Sequence, residues 1–172
     1  MGSIKSSPLP EEALLRRYLR DGHYTDCYST DISRSVTHSQ YIVAFYTTFL
    51  FRIERFILKL AVSRPSTDAE AVQLAEKQRD SFAAWSVEAR DNNQLLLCDF
   101  QGRTRSWLMV EPLLPEQAPR TRLYFGSAVI RNQKSESERQ SGTFGSGVLL
   151  GLHRLYSIAL LYSAKKRLER AK

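Results

Sequence analysis

Between residues 82 and 131 apolar and polar positions alternate with the period of a β-strand, and from Phe144 to Ala171 they recur with the period of a helix. Within the first region, Phe82–Arg90, Gln94–Phe100 and Arg103–Pro112 are joined by very short turns, and Arg120–Arg131 follows a proline-rich connection, Pro112–Pro119. Asp91-Asn92-Asn93 is turn chemistry, and Gln101-Gly102 is a tight hairpin signal. The pattern predicts an antiparallel meander ending in one long helix. That helix must bury one face on the sheet, and where the sheet curves the space between them becomes a pocket.

Parity along each strand assigns the faces. Trp85, Val87 and Ala89 share one face of the first run, and Gln94–Phe100, almost continuously apolar, reads as a central strand. In the third run Arg105, Trp107, Met109 and Glu111 oppose Ser106, Leu108 and Val110. In the fourth, Leu123, Phe125, Ser127 and Val129 alternate with Tyr124, Gly126, Ala128 and Ile130. Upstream, His23–Ile32 sets Tyr24, Asp26 and Tyr28 against Thr25, Cys27 and Ser29. Neither of its faces is plainly apolar, which fits an edge strand or a strand looking into a polar-lined pocket.

Three further helices are expected. Leu9–Arg20 carries a stripe of Leu14, Leu15, Tyr18 and Leu19 and ends at Asp21-Gly22. Tyr41–Ser63, with Ser39 as its N-cap, shows Val43, Tyr46, Thr47, Leu50, Ile53, Ile57 and Leu60 at helical spacing and breaks at Arg64-Pro65. Ser66 or Thr67, with Asp68 and Glu70, caps a shorter helix to about Lys77, whose stripe is Ala71, Leu74 and Ala75. On the last helix the expected buried stripe is Leu149, Leu152, Leu155, Tyr156, Ala159, Leu160 and Ser163, with His153 beside it. Residues 1–8 read as disordered, and Asn132–Gly142, charged and serine-rich, as a mobile connector.

Composition narrows the class. The 172 residues, 42% hydrophobic and 25% charged, suit one α+β domain over 22–172 behind a tail and short helix over 1–21. Two cysteines, Cys27 and Cys98, are too few for a disulfide framework or a zinc site and fit a reducing, cytoplasmic setting. Met1–Pro10 lacks the apolar core of a secretory signal, and Tyr41–Val62 holds Arg52, Glu54, Arg55 and Lys59, too many charges for a lipid span. His23, His38 and His153 are scattered, so no metal or other cofactor is expected. Ser141–Gly147 resembles a phosphate-cradling loop but lacks the Lys-Ser/Thr ending of a P-loop.

Of the net charge of +7, more than half sits in Lys165–Lys172, with five basic side chains and one acidic. Such a tail suits the negative end of a helix dipole and offers peripheral contact with an anionic membrane. Arg103, Arg105, Arg120, Arg122 and Arg131 place basic groups on neighbouring strands. No RNA-binding signature accompanies them, and Arg105 has Glu88 as a cross-strand partner, so nucleic acid is not an expected partner.

The order strand, helix, helix, antiparallel meander and long C-terminal helix resembles the helix-grip fold of the START-like superfamily, which includes polyketide cyclases and the birch-pollen-allergen type of ligand carrier. Tyr24-Thr25-Asp26-Cys27-Tyr28, Phe51-Arg52-Ile53-Glu54-Arg55-Phe56 and Leu152-His153-Arg154-Leu155-Tyr156 resemble an uncharacterised bacterial branch of it, a domain-of-unknown-function family. The resemblance implies a curved antiparallel sheet wrapped around the last helix, with a cavity between them that commonly holds a lipid, sterol or polyketide. Such folds usually have six or seven strands. Five are legible here, and a sixth is sought in Leu113–Pro119 or Arg131–Ser137.

Tyr24, Tyr28, Trp85, Trp107, Met109, Phe125, His153 and Tyr156 are the residues expected to line the cavity, since most combine bulk with a polar handle. His153 is the candidate acid/base group, with Asp26 or Glu111 as the carboxylate that would orient it. Three functions stay open: a module that binds a small apolar or amphipathic molecule, a cyclase- or hydrolase-type enzyme using that histidine, and a homodimeric interaction protein without a pocket.

Overall fold

The computed structural model describes residues 3–53, 55, 66–114, 118–130 and 147–171. It is an α+β fold: one seven-stranded antiparallel sheet, short helices after the first long strand, and a long C-terminal helix. In chain order the elements are β1 (Lys5–Ser6), α1 (Arg16–Arg20), β2 (Tyr24–Ile32), α2 (His38–Tyr46), α3 (Asp68–Ala75), β3 (Ser81–Phe82), β4 (Trp85–Arg90), β5 (Gln94–Asp99), β6 (Thr104–Leu113), β7 (Arg120–Val129) and α4 (Gly147–Arg170). The sheet order is β1-β2-β7-β6-β5-β4-β3, so the meander runs outward from β7 and β2 closes against it. This arrangement is compatible with a helix grip. No helix among the described residues is long and apolar enough to cross a membrane.

The two strands missing from the sequence reading are two-residue edges. Lys5–Ser6 pairs with Ser29 and Tyr28, so the segment expected to be disordered carries β1. Ser81–Phe82 pairs with β4 and is split from it by Ala83, whose φ of 52° breaks the extended run. Of the two places where a sixth strand was sought, Leu113 merely ends β6, while 115–117 and 131–137 lie outside the described residues. So do 141–146, most of the glycine-rich loop, and 132–142, the expected mobile connector.

Capping chemistry sets the helix starts. Thr37, not Ser39, is the N-cap of α2, in a reciprocal capping box with Gln40. Thr67 and Glu70 form the same box on α3, with Ala71, Leu74 and Ala75 buried as expected. The long helix expected from Tyr41 stops at Tyr46, because Thr47 and Thr48 turn their hydroxyls back onto the Val43 and Phe45 carbonyls. Thr48 Oγ1 then accepts the Phe51 N–H and caps a second helical stretch over 49–53. Of the rest of that helix, Arg55 is described; residue 54 and 56–65 lie outside the described residues. The α1 helix is shorter than expected, since Leu9–Leu15 approaches the sheet as irregular chain.

Both faces of the sheet are covered. On the first, Tyr28, Leu97, Leu108, Leu123 and Phe125 pack against α2, α3 and α4. On the second, Cys27, Leu96, Trp107, Met109 and Tyr124 pack under Ala13 and Leu15 of the N-terminal strap. A bulge in β4 between Val87 and Ala89 sends Val87 to the first core and Ala89 to the second, so Trp85, Val87 and Ala89 do not share a face. The buried stripe of α4 is Ser157, Leu160, Leu161, Ala164 and Leu168, rotated from the expected one; Leu155 is 65% exposed.

At the crossing of strap and sheet, Gly126 leaves no room for a side chain. A Cβ there would lie 2.8 Å from the Asp26 carbonyl oxygen, 2.9 Å from Leu15 Cδ2 and 3.0 Å from Trp107 Cε3. Gly126→Ala is expected to cost about 2 kcal/mol through overpacking against backbone that cannot yield. Urea denaturation checks it, and a wild-type midpoint would show that the strap is not seated as described.

Candidate functional site

On the first face, a cleft of about 420 Å³ opens between β4, β6, β7, the end of the α2 region and α4. That volume falls in the ~300–1,000 Å³ range of small-molecule sites. Phe45, Leu50 and Phe51 form one wall, Phe125 and Val129 the sheet floor, and Tyr156 and Leu160 the helix side. Phe45 stacks obliquely on Phe125 with ring centroids 4.9 Å apart, which fixes the inner end of the wall.

At its sheet–helix edge is a hydrogen-bonded chain of three side chains. Ser127 Oγ donates to Asp26 Oδ1 at 2.6 Å, and the Ser127 backbone N–H donates to the same oxygen at 3.0 Å. Ser127 Oγ also lies 2.8 Å from His153 Nε2. A serine has one hydroxyl proton and an ionised carboxylate can only accept, so that proton goes to Asp26 and the donor on the other contact is His153 Nε2–H. The network therefore assigns the tautomer. It also removes Ser127 as a nucleophile activated by His153, because the ring donates to the serine rather than accepting from it. Asp26 Oδ2 lies 3.5 Å from His153 Nε2 and accepts no hydrogen bond among the described residues. Protonated His153 would thus meet a carboxylate that is 9% exposed.

Antiparallel register brings this chain together. Asp26 on β2 faces Ser127 on β7, and Ser127 faces Ser106 on β6, so a row of polar residues crosses an otherwise apolar floor. Deeper in the wall, Trp85 Nε1 and Ser157 Oγ are buried with no hydrogen-bond partner among the described residues. Buried polar atoms are normally paired, so each marks a position for a ligand group or an ordered water.

Of the eight residues expected to line a cavity, Trp85, Phe125, His153 and Tyr156 stand around the cleft. Tyr24 and Tyr28 are on the same sheet face, flanking Asp26 along β2. Burial, then the nearby Asp26 charge, push the Tyr28 phenol up to about 12. The Tyr24 hydroxyl beside Arg154 holds that guanidinium above its ordinary value. Trp107 and Met109 are corrected in place: they belong to the second face, fully covered by the strap, because β6 presents Ser106 and Leu108 to the helices. Glu111 also lies on that second face and accepts a hydrogen bond from Tyr124 OH at 2.7 Å, so of the two candidate carboxylates Asp26 is the one beside His153.

Sequence reasoning missed Ser127 and Ser157. The signal for Ser127 was a small polar residue between Phe125 and Val129 on an apolar parity; Ser157 had none. Among the described residues no group of three or more His, Cys, Asp or Glu is placed to hold a metal ion. Compared with protein families, curated proteins and solved structures, the chain shows no significant match to any of them.

Proposed function

We propose that this protein is a START-like helix-grip module that binds a small, mostly apolar molecule carrying at least one hydrogen-bonding group. One observation carries the reading: in a largely apolar cleft of about 420 Å³, the indole N–H of Trp85 and the hydroxyl of Ser157 are buried without a hydrogen-bond partner among the described residues. Apolar wall area supplies affinity and the few polar atoms orient the ligand. An acceptor on the ligand meets Trp85 Nε1, which can only donate.

The test is uptake of a fluorescent fatty-acid probe. Trp85→Phe keeps the ring bulk and removes the donor, so affinity is expected to fall roughly tenfold, the equivalent of one hydrogen bond of about 1.4 kcal/mol. Ser157→Leu fills the cleft and is expected to abolish uptake. Tyr162→Ala, at a side chain 52% exposed on the outer side of α4, serves as the unaffected control. No uptake by wild type, or equal uptake by all variants, would sink the reading.

The Asp26–Ser127–His153 chain favours a second reading, an enzyme of the cyclase or hydrolase kind in which His153 moves a proton and Asp26 steadies its charged form. Under that reading His153→Ala removes turnover while leaving probe uptake intact.

A further inference from the structure

The apolar cleft on the first face holds little charge of its own. Among the described residues that line it, Arg105 is the one permanently charged side chain. Its guanidinium belongs to the opposite face of the sheet, which it shares with Trp107. There Nε donates to Tyr18 OH at 2.8 Å and pairs with Glu88, so Arg105 offers the cleft no open cation. The two buried polar atoms that lack a hydrogen-bond partner in the cleft, among the described residues, are neutral. Trp85 Nε1 only donates, and Ser157 Oγ donates or accepts.

A buried carboxylate lies just behind the floor. The Asp26 side chain is 9% exposed, and its Oδ1 receives both the Ser127 hydroxyl and the Ser127 N–H. Its Oδ2 is buried, 3.5 Å from His153 Nε2. With His153 neutral the pair carries one negative charge, and with His153 protonated it carries none. In neither state is it positive. Arg154 acts from the solvent side, exposed beside Tyr24 and outside the lining of the cleft, where water screens it. A carboxylate entering the cleft would lose its hydration, meet no open cation among the described residues and face Asp26. An ammonium would be drawn towards Asp26 but could reach neither oxygen, since Ser127 covers one and the other is buried. A carbonyl group loses far less on leaving water, and Trp85 Nε1 gives it a donor.

Resting on the reading of this cleft as a ligand site, we propose that it takes an uncharged carbonyl compound, an ester or ketone, and that Asp26 turns away the corresponding free acid. Trp85 Nε1 donates to the carbonyl oxygen, and the Asp26 field, one serine behind the floor, repels an anionic head group. A fluorescent fatty acid is then a poor member of the ligand class. Its chain fits the apolar walls, while its carboxylate has to stay at the mouth.

The experiment is fluorescence titration of the full chain, at neutral pH, with three probes of the same chain and dye: the fatty acid, its methyl ester and the matched primary amine. Wild type is expected to bind the ester at least roughly tenfold more tightly than the acid, and more tightly than the amine. An ester is also the more apolar molecule, so a variant isolates the charge. Asp26→Asn keeps an acceptor for Ser127 and removes the negative charge. In it the acid is expected to gain on the ester by at least roughly threefold, whereas probe apolarity is the same for both proteins. Equal affinity of wild type for acid and ester, tightest binding of the amine, or an unchanged ratio in Asp26→Asn would overturn the proposal and leave uptake by the cleft standing. Uptake of none of the three probes would remove the cleft as a ligand site, and this proposal with it. The wild-type ranking needs no variant and decides the matter by itself if Asp26→Asn does not fold.

Discussion

Gln94→Leu is expected to release the N-terminal strap from the sheet and to cost about 4 kcal/mol. Gln94 is 2% exposed, and its amide bonds to both the strap and the sheet. Oε1 accepts the Leu14 backbone N–H and the Trp107 indole N–H, each at 2.9 Å, while Nε2 donates to the Glu12 carbonyl at 3.1 Å. Leucine has nearly the same volume, so packing is little changed. Two donors and one acceptor are left unpaired, each worth about 1–3 kcal/mol when buried. The full sum is not reached, because the strap can lift and let water reach them. Urea denaturation reads the loss. A red shift of Trp107 emission and faster proteolysis within residues 9–18 report the lifted strap. Wild-type stability with unchanged protease resistance would mean that these three bonds do not hold it.

Acid should loosen the protein well above the range in which carboxylates titrate. His38 opens α2, and burial pushes its imidazole down from 6.5 to about 4. A hydrogen bond from the ring to the Leu108 backbone opposes the shift, and the charges of Arg90 and Lys77 reinforce it. The unfolded chain takes up this proton below about pH 6.5, whereas the folded chain resists until about pH 4. Stability contributed by neutral His38 is therefore complete above pH 6.5 and is lost as pH falls towards 4. The loss reaches about 3 kcal/mol at its limit. Asp31, Asp68 and Glu70, all held below their ordinary values, lose stability in the same direction at still lower pH. His38→Gln isolates the histidine: its urea midpoint should vary far less than that of wild type between pH 6.5 and pH 4.5. Parallel curves would place the acid sensitivity in another group.

The two predictions concern opposite faces of one sheet, and that division explains what the sequence reading could and could not reach. Parity was readable in the two longest strands: Arg105, Trp107, Met109 and Glu111 do share a face of β6, and Phe125, Ser127 and Val129 share one of β7. Which parity faced the helices was not readable. The Trp107 side of β6 is the bulkier and more aromatic, and it seemed the natural wall of a cavity. It has a core of its own because residues 9–18 cover it. The bulge in β4 is a further case, since one extra residue moves Ala89 to the other side of the sheet without any mark in the alternation.

The site was half legible for the same reason. Asp26 and His153 each stood out as a titratable group among aromatics, but their meeting depends on β2 pairing with β7 and on the rotation of α4. That rotation defeated the periodicity argument. Ser157, Ala164 and Lys165 are buried on α4 while Leu155 is exposed, because α4 lies over β2, where Thr30 and the Asp31 carbonyl offer polar partners to Lys165.

The amino-acid sequence by itself determined the order of the longer elements, the alternation within β2, β6 and β7, the α3 capping box and the long final helix, all of which follow from local sterics and short-range hydrogen bonding. Tertiary structure alone decided that both sheet faces are covered and that Asp26, Ser127 and His153 come within hydrogen-bonding reach. Those outcomes depend on contacts between residues up to about a hundred positions apart, and a side chain carries no local signal of which distant backbone it will meet.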